Sequence, residues 1–279
     1  MPERRVIVPR YCIEEMKVEQ WHIWALVVVV IAIIIGLVFF NKNIEMFETK
    51  QPVIPLHIYQ TWHTKKLPPK MKECVEKLKK DNPEFEHHLY DIEDCRKFIG
   101  KHFDKEVLNA YDNLKPLAFK ADLWRYCVLY KNGGVYLDIK YQCANDFKLI
   151  NVTNSELLVK EFWDGKFLEN VVYNGCIICK PNNIVLDKII KRICWNVQNK
   201  YYSDKCSGQT GPSLLGTFYS KEEIDSINYV YYEENRRGFI KHILTNKIIL
   251  SFYPEYRDEQ KLSKKEYWQD MWKNKNIYL

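Results

Sequence analysis

Residues 116–140 read PLAFKADLWRYCVLYKNGGVYLDIK, and this stretch decides both the fold and the place of the functional site. Leu117 to Tyr130 is a helix-length run, apolar on almost every side and broken only by Lys120, Asp122 and Arg125. A helix apolar all round is a buried helix, and ionised side chains are rarely buried without partners. Asp122 and Arg125 stand three residues apart, as neighbours on one helical face. Gly133-Gly134 stops the helix and turns the chain. Val135 to Lys140 then alternates strictly, with Val135, Leu137 and Ile139 on one side and Tyr136, Asp138 and Lys140 on the other. The spacing predicts a buried helix, bearing a paired acid and base, that feeds a strand ending in a carboxylate. Ligand sites of open α/β sheets lie at the carboxyl ends of such strands. The plainer alternative is an intrahelical ion pair and a strand-end turn cap. So many polar exceptions in one apolar segment argue against it.

The stretch resembles the donor-binding core of glycosyltransferase family 32, the DXD-containing sugar-transfer proteins. That family's pattern runs roughly A-x-K-[SA]-D-x-x-R-Y-x-x-L-Y-x-x-G-G-[IV]-Y-x-D-x-D. Ala118, Lys120, Ala121, Asp122, Arg125, Tyr126, Leu129, Tyr130, Gly133, Gly134, Val135, Tyr136 and Asp138 match it. Ile54-Pro55 with Gln60-Thr61-Trp62 resembles the family's opening strand. Asn174-Gly175 ahead of Lys180-Pro181-Asn182-Asn183, and Thr210-Gly211-Pro212, resemble two later elements. The resemblance runs from about Val53 to the C-terminus.

It implies an α/β domain of the GT-A type, a Rossmann-like nucleotide-sugar-binding fold, behind an N-terminal transmembrane helix. The implied activity is transfer of a hexose or N-acetylhexosamine from a UDP- or GDP-linked sugar to a glycan, glycoprotein or glycolipid acceptor, with retention of anomeric configuration. Trp62 is expected near the nucleobase, and Asp122 and Arg125 at donor-sugar hydroxyls. Asp138 is expected at the diphosphate through a metal ion, with Lys140 balancing charge there and Arg257 adding another. Asn174, Thr210 and Gly211 fall on the sugar and acceptor side. The catalytic roles rest on Asp138 and Lys140, and no residue stands out as a nucleophile.

One departure matters. The second acid of the DXD pair is Lys140. Two acids suit manganese or magnesium because hard cations prefer oxygen ligands, and the cation neutralises the departing nucleoside diphosphate. An ammonium cannot ligate it. Three arrangements follow: Asp138 alone holds Mn2+ or Mg2+, Lys140 replaces the cation as a fixed charge, or the site binds without turnover. The last would make the chain a non-catalytic nucleotide-sugar- or glycan-binding membrane protein. The family's C-terminal H-x-x-x-x-S-W element is not evident. Tyr256-Arg257, Glu266-Tyr267-Trp268 and Trp272 occupy that region.

Ile23 to Phe40 contains eighteen residues without a charge, enough to cross a bilayer core of ~30 Å. Trp21 and Trp24 suit one interface, and Phe39-Phe40-Asn41-Lys42-Asn43 offers no small-residue cleavage site. Arg4, Arg5, Arg10 and Lys17 precede the run, whereas only Lys42 and Lys50 lie close behind it. The basic-residue rule therefore places the N-terminus in the cytosol. The expected plan is a cytosolic tail over 1–20, an anchor over 21–40, a stem over 41–52 and a luminal transferase domain over 53–279. It suits a single-pass protein of the Golgi or ER membrane, or an equivalent host membrane.

The rest reads as alternating strands and helices. Strands are expected at Leu56–Gln60, Phe85–Tyr90, Leu157–Lys160 and Cys176–Cys179. Helices are expected at Pro69–Lys80, within Ile92–Tyr111 and at Ile184–Lys200. Such alternation predicts a largely parallel sheet covered by helices. Nine cysteines allow disulfides in a luminal domain, Cys74–Cys95 among them, but Cys176-x-x-Cys179 has no second pair for a zinc site and reads as buried thiols. Asn151-Val152-Thr153 is a glycosylation sequon. Net charge is +6, and the basic run Lys261 to Lys275 suits an anionic donor, lipid heads or acidic glycan. No nucleic-acid motif accompanies the charge, so nucleic acid is not an expected partner. Tyr267, Trp268, Met271 and Trp272 fit one apolar helical face.

Overall fold

The computed structural model describes residue 24 and residues 27–34, 52–163, 165–262 and 267–279. The chain divides into two compact units, Met1–Gln51 and Pro52–Leu279. In the first, residues 24 and 27–34 are helical. The remainder of the anchor expected over 21–40 lies outside the described residues, as do the tail and most of the stem. Among the described residues no helix is long and apolar enough to cross a membrane.

The second unit is a mixed α/β domain. It opens with β1 (His57–Thr61), α1 (Pro69–Asp81), β2 (Glu86–Tyr90), α2 (Ile92–His102) and α3 (Lys105–Asn113). The central helix α4 (Leu117–Asn132) and strand β3 (Gly134–Leu137) follow, then β4 (Tyr141–Cys143), β5 (Leu157–Trp163), β6 (Lys166–Cys179) and α5 (Ile184–Gln198). Short helices α6 (Pro212–Gly216) and α7 (Lys221–Asp225) lead to β7 (Tyr229–Glu234), β8 (Arg237–His242) and β9 (Ile248–Phe252). Helices α8 (Tyr256–Leu262) and α9 (Trp268–Lys273) close the chain.

Helix α4 is buried as its composition demands: Phe119 and every residue from Asp122 to Leu129 are buried. Of its polar interruptions, Lys120 reaches out to donate to the Tyr111 carbonyl at 2.5 Å, a cation at the carboxyl end of α3. Gly133 ends the helix at φ 65°, and a Cβ there would lie 2.6 Å from Pro181 Cδ. Gly134, at φ 103°, lets β3 start 2.8 Å (ideal Cβ to oxygen) from the His57 carbonyl. Only glycine satisfies both demands. The strand itself is shorter than its alternation suggests. It stops at Leu137, and Asp138 to Lys140 form a turn closed by Tyr141 N–H donating to the Asp138 carbonyl at 3.1 Å.

The sheet has nine strands in the order β2-β1-β3-β6-β5-β7-β8-β9-β4. The expectation of a largely parallel sheet is corrected. Only β1 with β2, β1 with β3, and β5 with β7 run parallel; the other five pairings are antiparallel. The reason is the long β5–β6 hairpin and the β7–β8–β9 meander, which replace crossover helices with tight turns. The order also forces curvature. β3 and β4 stand six places apart, about 29 Å in a flat sheet at ~4.8 Å per strand. The four peptide steps from Leu137 to Tyr141 reach at most about 14 Å. The sheet must curl back until β4, paired with β9, lies beside the end of β3. The turn Asp138–Lys140 is the seam of that closure, and Tyr253 N–H fastens it by donating to the Lys140 carbonyl at 3.1 Å.

Two apolar clusters fill the two faces. One joins α2–α5 to Tyr59, Tyr136, Ile177 and Cys179. The other joins α1 to Ile58, Val135, Leu137, Cys176, Ile178 and the inner side of β7–β9. Cys74 and Cys95 belong to opposite faces, so the bridge between them is ruled out by the sheet itself. All eight described cysteines are free thiols, and Cys176 and Cys179 are buried. In α9, Met271 is buried and Trp268 and Trp272 pack on the core, while Tyr267 is exposed.

Candidate active site

The charged residues of α4 and the end of β3 meet at the floor of one cavity of about 1020 Å³. Helix α4 aims Asp122 and Arg125 at the sheet, where the Arg125 guanidinium lies 3.1 Å from Asp122 Oδ1 and 3.5 Å from Asp138 Oδ1. Its other nitrogen donates to the Asn174 carbonyl at 2.7 Å, and its plane sits 4.5 Å from the Tyr136 ring centroid. Asp122 accepts from the Asn174 amide at 2.9 Å and from the Thr210 hydroxyl at 2.7 Å. Tyr126 ties the same group together, donating to the Thr210 carbonyl while accepting from Asn174.

Asp138 is approached from three sides. Tyr136 donates to its Oδ1 at 2.8 Å, and Lys140 Nζ lies 2.8 Å from its Oδ2. Its backbone N–H donates to the Gly175 carbonyl at 2.9 Å, so the turn stays registered against β6 beyond the last strand residue. Gly175 is required there: an added Cβ would lie 2.7 Å from Asp138 Oδ2 and would overlap the Tyr173 hydroxyl. Gly211 likewise brings its backbone close, with an ideal Cβ 3.4 Å from Asp122 Oδ2.

Lys140 is held in an aromatic box. Its Nζ lies 4.7 Å from the Phe252 centroid and within 5.7–5.8 Å of Tyr141, Tyr173 and Tyr256. Those rings come from β4, β6, β9 and α8, the elements the curled sheet gathers at its seam. Rings around an ammonium attract it through their π faces, so the box fixes the cation beside the cavity.

The electrostatics separate the two acids. Burial raises the Asp122 carboxyl, and Arg125, Thr210 and Asn174 only partly offset it. Burial also pushes Asp138 upward, but Lys140 and Arg125, with the bonds from Lys140 and Tyr136, outweigh it and hold that carboxyl below its ordinary value. Asp138 is therefore the firmly ionised member. The four-residue cluster is formally neutral, two carboxylates against two cations.

This donor set does not suit a divalent cation. Both Asp138 oxygens are already matched to positive charge or a hydroxyl, and both Asp122 oxygens face protein donors. The position that supplies a second carboxylate in a DXD pair carries an ammonium. A dication would have to displace Lys140 from its aromatic box.

Asp122, Arg125, Asp138, Lys140, Asn174 and Thr210 thus form one bonded cluster. Trp62, Gly211 and Arg257 line the same cavity without joining it. Arg257 pairs with Glu233, so its charge is partly spoken for. Sequence reasoning missed the Tyr136 hydroxyl, the Tyr126 link, the box around Lys140, and Glu161. Tyr136 had a signal, since it precedes Asp138 by two on the same predicted face. Glu161 continues the side of β5 that carries buried Leu157 and Val159, a carboxylate where the pattern wants an apolar residue. It lines the cavity, and burial raises it to about 7, with Lys140 pulling the other way. Asp138 and Glu161 are therefore a low and a high carboxyl in one site.

Residues 68–158 match the family described as the glycosyltransferase sugar-binding region containing a DXD motif. That region spans α1 to the start of β5 and carries the Asp122–Lys140 cluster, so this part of the chain is similar to the sugar-binding region of the DXD-containing glycosyltransferases. An uncharacterized glycosyltransferase of Acanthamoeba polyphaga mimivirus is 32% identical over 146 residues, covering 50% of this chain and 56% of the viral protein. Inositol phosphoceramide mannosyltransferase 3 of Schizosaccharomyces pombe is 28% identical over 185 residues, 64% of this chain and 48% of the yeast protein. The initiation-specific α-1,6-mannosyltransferase of Candida albicans is 30% identical over 115 residues, 38% of this chain and 29% of its own. The chain spans about half the length of the first two of these relatives. Among solved structures, the PaToxG glycosyltransferase superposes with a TM-score of 0.46 at 17% identity, covering 65% of this chain and 75% of that one.

Proposed function

We propose that this chain transfers a hexose or N-acetylhexosamine from a UDP- or GDP-linked sugar to a glycan, glycoprotein or glycolipid acceptor, using a GT-A type domain. The observation that carries the proposal is the neutral cluster Asp122–Arg125–Asp138–Lys140 at the floor of a cavity large enough for a nucleotide sugar, within the region that matches the family. Asp122, Arg125 and Asn174 offer both donors and acceptors to a polyol. Trp62 supplies a flat apolar wall for the base, and Lys140 and Arg257 face the diphosphate.

In the proposed reaction the bond from the anomeric carbon to the β-phosphate oxygen breaks. The acceptor oxygen bonds to the anomeric carbon on the face just vacated, and its proton passes to the departing phosphate oxygen. That course retains configuration. Lys140 is the resident positive charge for the diphosphate, pre-placed and needing no reorganisation as negative charge builds. Transfer is accordingly independent of manganese and magnesium. The apolar run Ile23–Phe40 and its basic N-terminal flank support a single-pass anchor, with the transferase domain in the lumen of the ER or Golgi or an equivalent host membrane.

The test is release of nucleoside diphosphate from a panel of UDP- and GDP-sugars with purified protein and acceptor, run with manganese and with EDTA. GDP-mannose is tried first because two of the matched relatives are named mannosyltransferases. Release specific to one donor and unchanged by EDTA is expected. No release from any donor, with binding retained in calorimetry, would make the chain a non-catalytic nucleotide-sugar binder.

Glu161 gives a second expected result. A carboxyl raised to about 7 changes charge within the working pH range, and it faces the same cavity as Lys140. The pH profile of transfer should therefore show an ionisation near neutrality that Glu161→Gln removes. A profile identical in the two proteins would place Glu161 outside the reaction.

A further inference from the structure

At the amino end of β1, away from the cavity, lies a second cluster with a different chemistry. β1 and β2 run parallel with His57 opposite Glu86 and Tyr59 opposite His88. Alternation along each strand puts His57, Glu86 and His88 on one face of the sheet. Their polar atoms converge: His57 Nδ1 lies 3.1 Å from His88 Nε2 and 3.5 Å from Glu86 Oε2, and His88 Nε2 lies 3.6 Å from Glu86 Oε1. Among the described residues this is the group of His, Cys, Asp and Glu side chains whose ligand atoms all fall within 4.8 Å of one another.

Those separations carry the argument. Zinc binds imidazole nitrogen at about 2.0–2.1 Å and carboxylate oxygen at about 2.0–2.2 Å, usually in a tetrahedron. Two ligand atoms of such a tetrahedron stand roughly 3.3–3.5 Å apart. The two imidazole nitrogens stand 3.1 Å apart, and each lies about one tetrahedral edge from a Glu86 carboxylate oxygen, His57 at 3.5 Å from Oε2 and His88 at 3.6 Å from Oε1. The fourth corner points to water, since side-chain accessibility is 36% for His57, 24% for His88 and 69% for Glu86.

The rings are also held in place. His88 stacks on Tyr59 with centroids 5.0 Å apart and planes 13° from parallel. Tyr59 in turn is fixed by Asn132, whose amide donates to its hydroxyl at 3.2 Å. Two imidazoles and a carboxylate are a donor set suited to a borderline divalent ion.

We propose that His57, Glu86 and His88 bind one Zn2+ ion, a clip joining the sheet's edge strand β2 to β1. The site is distinct from the cavity: β1 carries the clip at His57, and the cavity begins at Thr61 and Trp62 beyond its carboxyl end. Four residue steps separate them, roughly 13 Å along a strand. Its work is structural. An edge strand is held by one neighbour only, and here a metal adds a second tie. The clip also makes chelator experiments ambiguous unless both sites are considered, because EDTA can strip the clip while leaving the reaction's own cation, Lys140, untouched.

Full-length protein, stripped with chelator and dialysed, would be titrated with ZnCl2 by calorimetry beside His57→Gln/His88→Gln. The wild type is expected to bind one equivalent more than the variant, and its Tm should rise on zinc addition while that of the variant does not. Cobalt in place of zinc should give the intense visible bands of four-coordinate Co2+. Glu86→Gln, changing only the most exposed ligand, should weaken zinc at least tenfold without disturbing the fold. Equal zinc stoichiometry in wild type and double variant would overturn the proposal, as would the pale spectrum of six-coordinate cobalt.

Discussion

Lys140→Met should lower turnover by about 10²–10³-fold, the loss typical when one pre-placed electrostatic group is removed from a transition state, and added manganese should not restore it. The reasoning begins with the seam of the sheet. Closure puts Lys140 Nζ 2.8 Å from Asp138 Oδ2 and surrounds it with the rings of β4, β6, β9 and α8. Its amine is where a second carboxylate and its metal would otherwise stand. Methionine keeps the length and the packing in the box but carries no charge. The leaving diphosphate then faces Arg257 alone, and that residue already pairs with Glu233. Lys140→Asp makes the complementary change. It recreates a D-x-D pair, turns the formally neutral cluster negative by two, and should yield activity that EDTA abolishes. Initial-rate measurements on the three proteins, each with manganese and with EDTA, decide the matter. If Lys140→Met works at the wild-type rate in EDTA, the ammonium has no part in transfer.

The residues of that argument differ in how far sequence reveals them. Helix α4 and its glycine turn are local objects, and an all-round apolar run with two charges three residues apart specifies a buried ion pair without reference to anything distant. Asp138 is legible from the same local pattern as the carboxylate that follows a buried strand, although it is the turn after β3 and its backbone bond to Gly175 that place it. Lys140 is legible from the sequence pattern in the same way, yet its aromatic box is not. Phe252 and Tyr256 stand more than a hundred residues later, brought to the seam only because the sheet curls. The curl itself comes from β7–β9, whose strands are joined by turns at Asn235-Arg236 and near Asn246, each with positive φ on a non-glycine residue. Without Gly in those turns the hairpin signal is weak, and a parallel sheet is what the alternation of the first half suggests. Glu161 lies at an intermediate depth: its place on the apolar side of β5 is visible, but its nearness to Lys140 needs the closed sheet.

Arg125→Met should cost about 3–5 kcal/mol of stability, the range found when one partner of a buried ion pair is removed. For a domain of this size that is a fall in Tm of roughly 6–20 °C. Arg125 is 6% exposed and touches both acids, the Asn174 carbonyl and the Tyr136 ring. Methionine fills the apolar part of its volume but leaves Asp122, 8% exposed, without its counter-charge. Burial already raises that carboxyl, and Arg125 is the largest opposing influence. Its removal drives the folded-state pKa of Asp122 higher still. A group with a raised folded pKa favours the folded state below its unfolded value, and that advantage is lost as pH rises through the folded value. The deficit of Arg125→Met should therefore be larger at pH 8 than at pH 5. Asp122→Asn in the Arg125→Met background removes the orphaned charge while keeping acceptor and donor for Thr210 and Asn174, and it should recover part of the loss. Urea unfolding of wild type, both single variants and the double variant at the two pH values gives the coupling directly. Additive losses, with no recovery in the double variant, would mean that the pair contributes through packing alone.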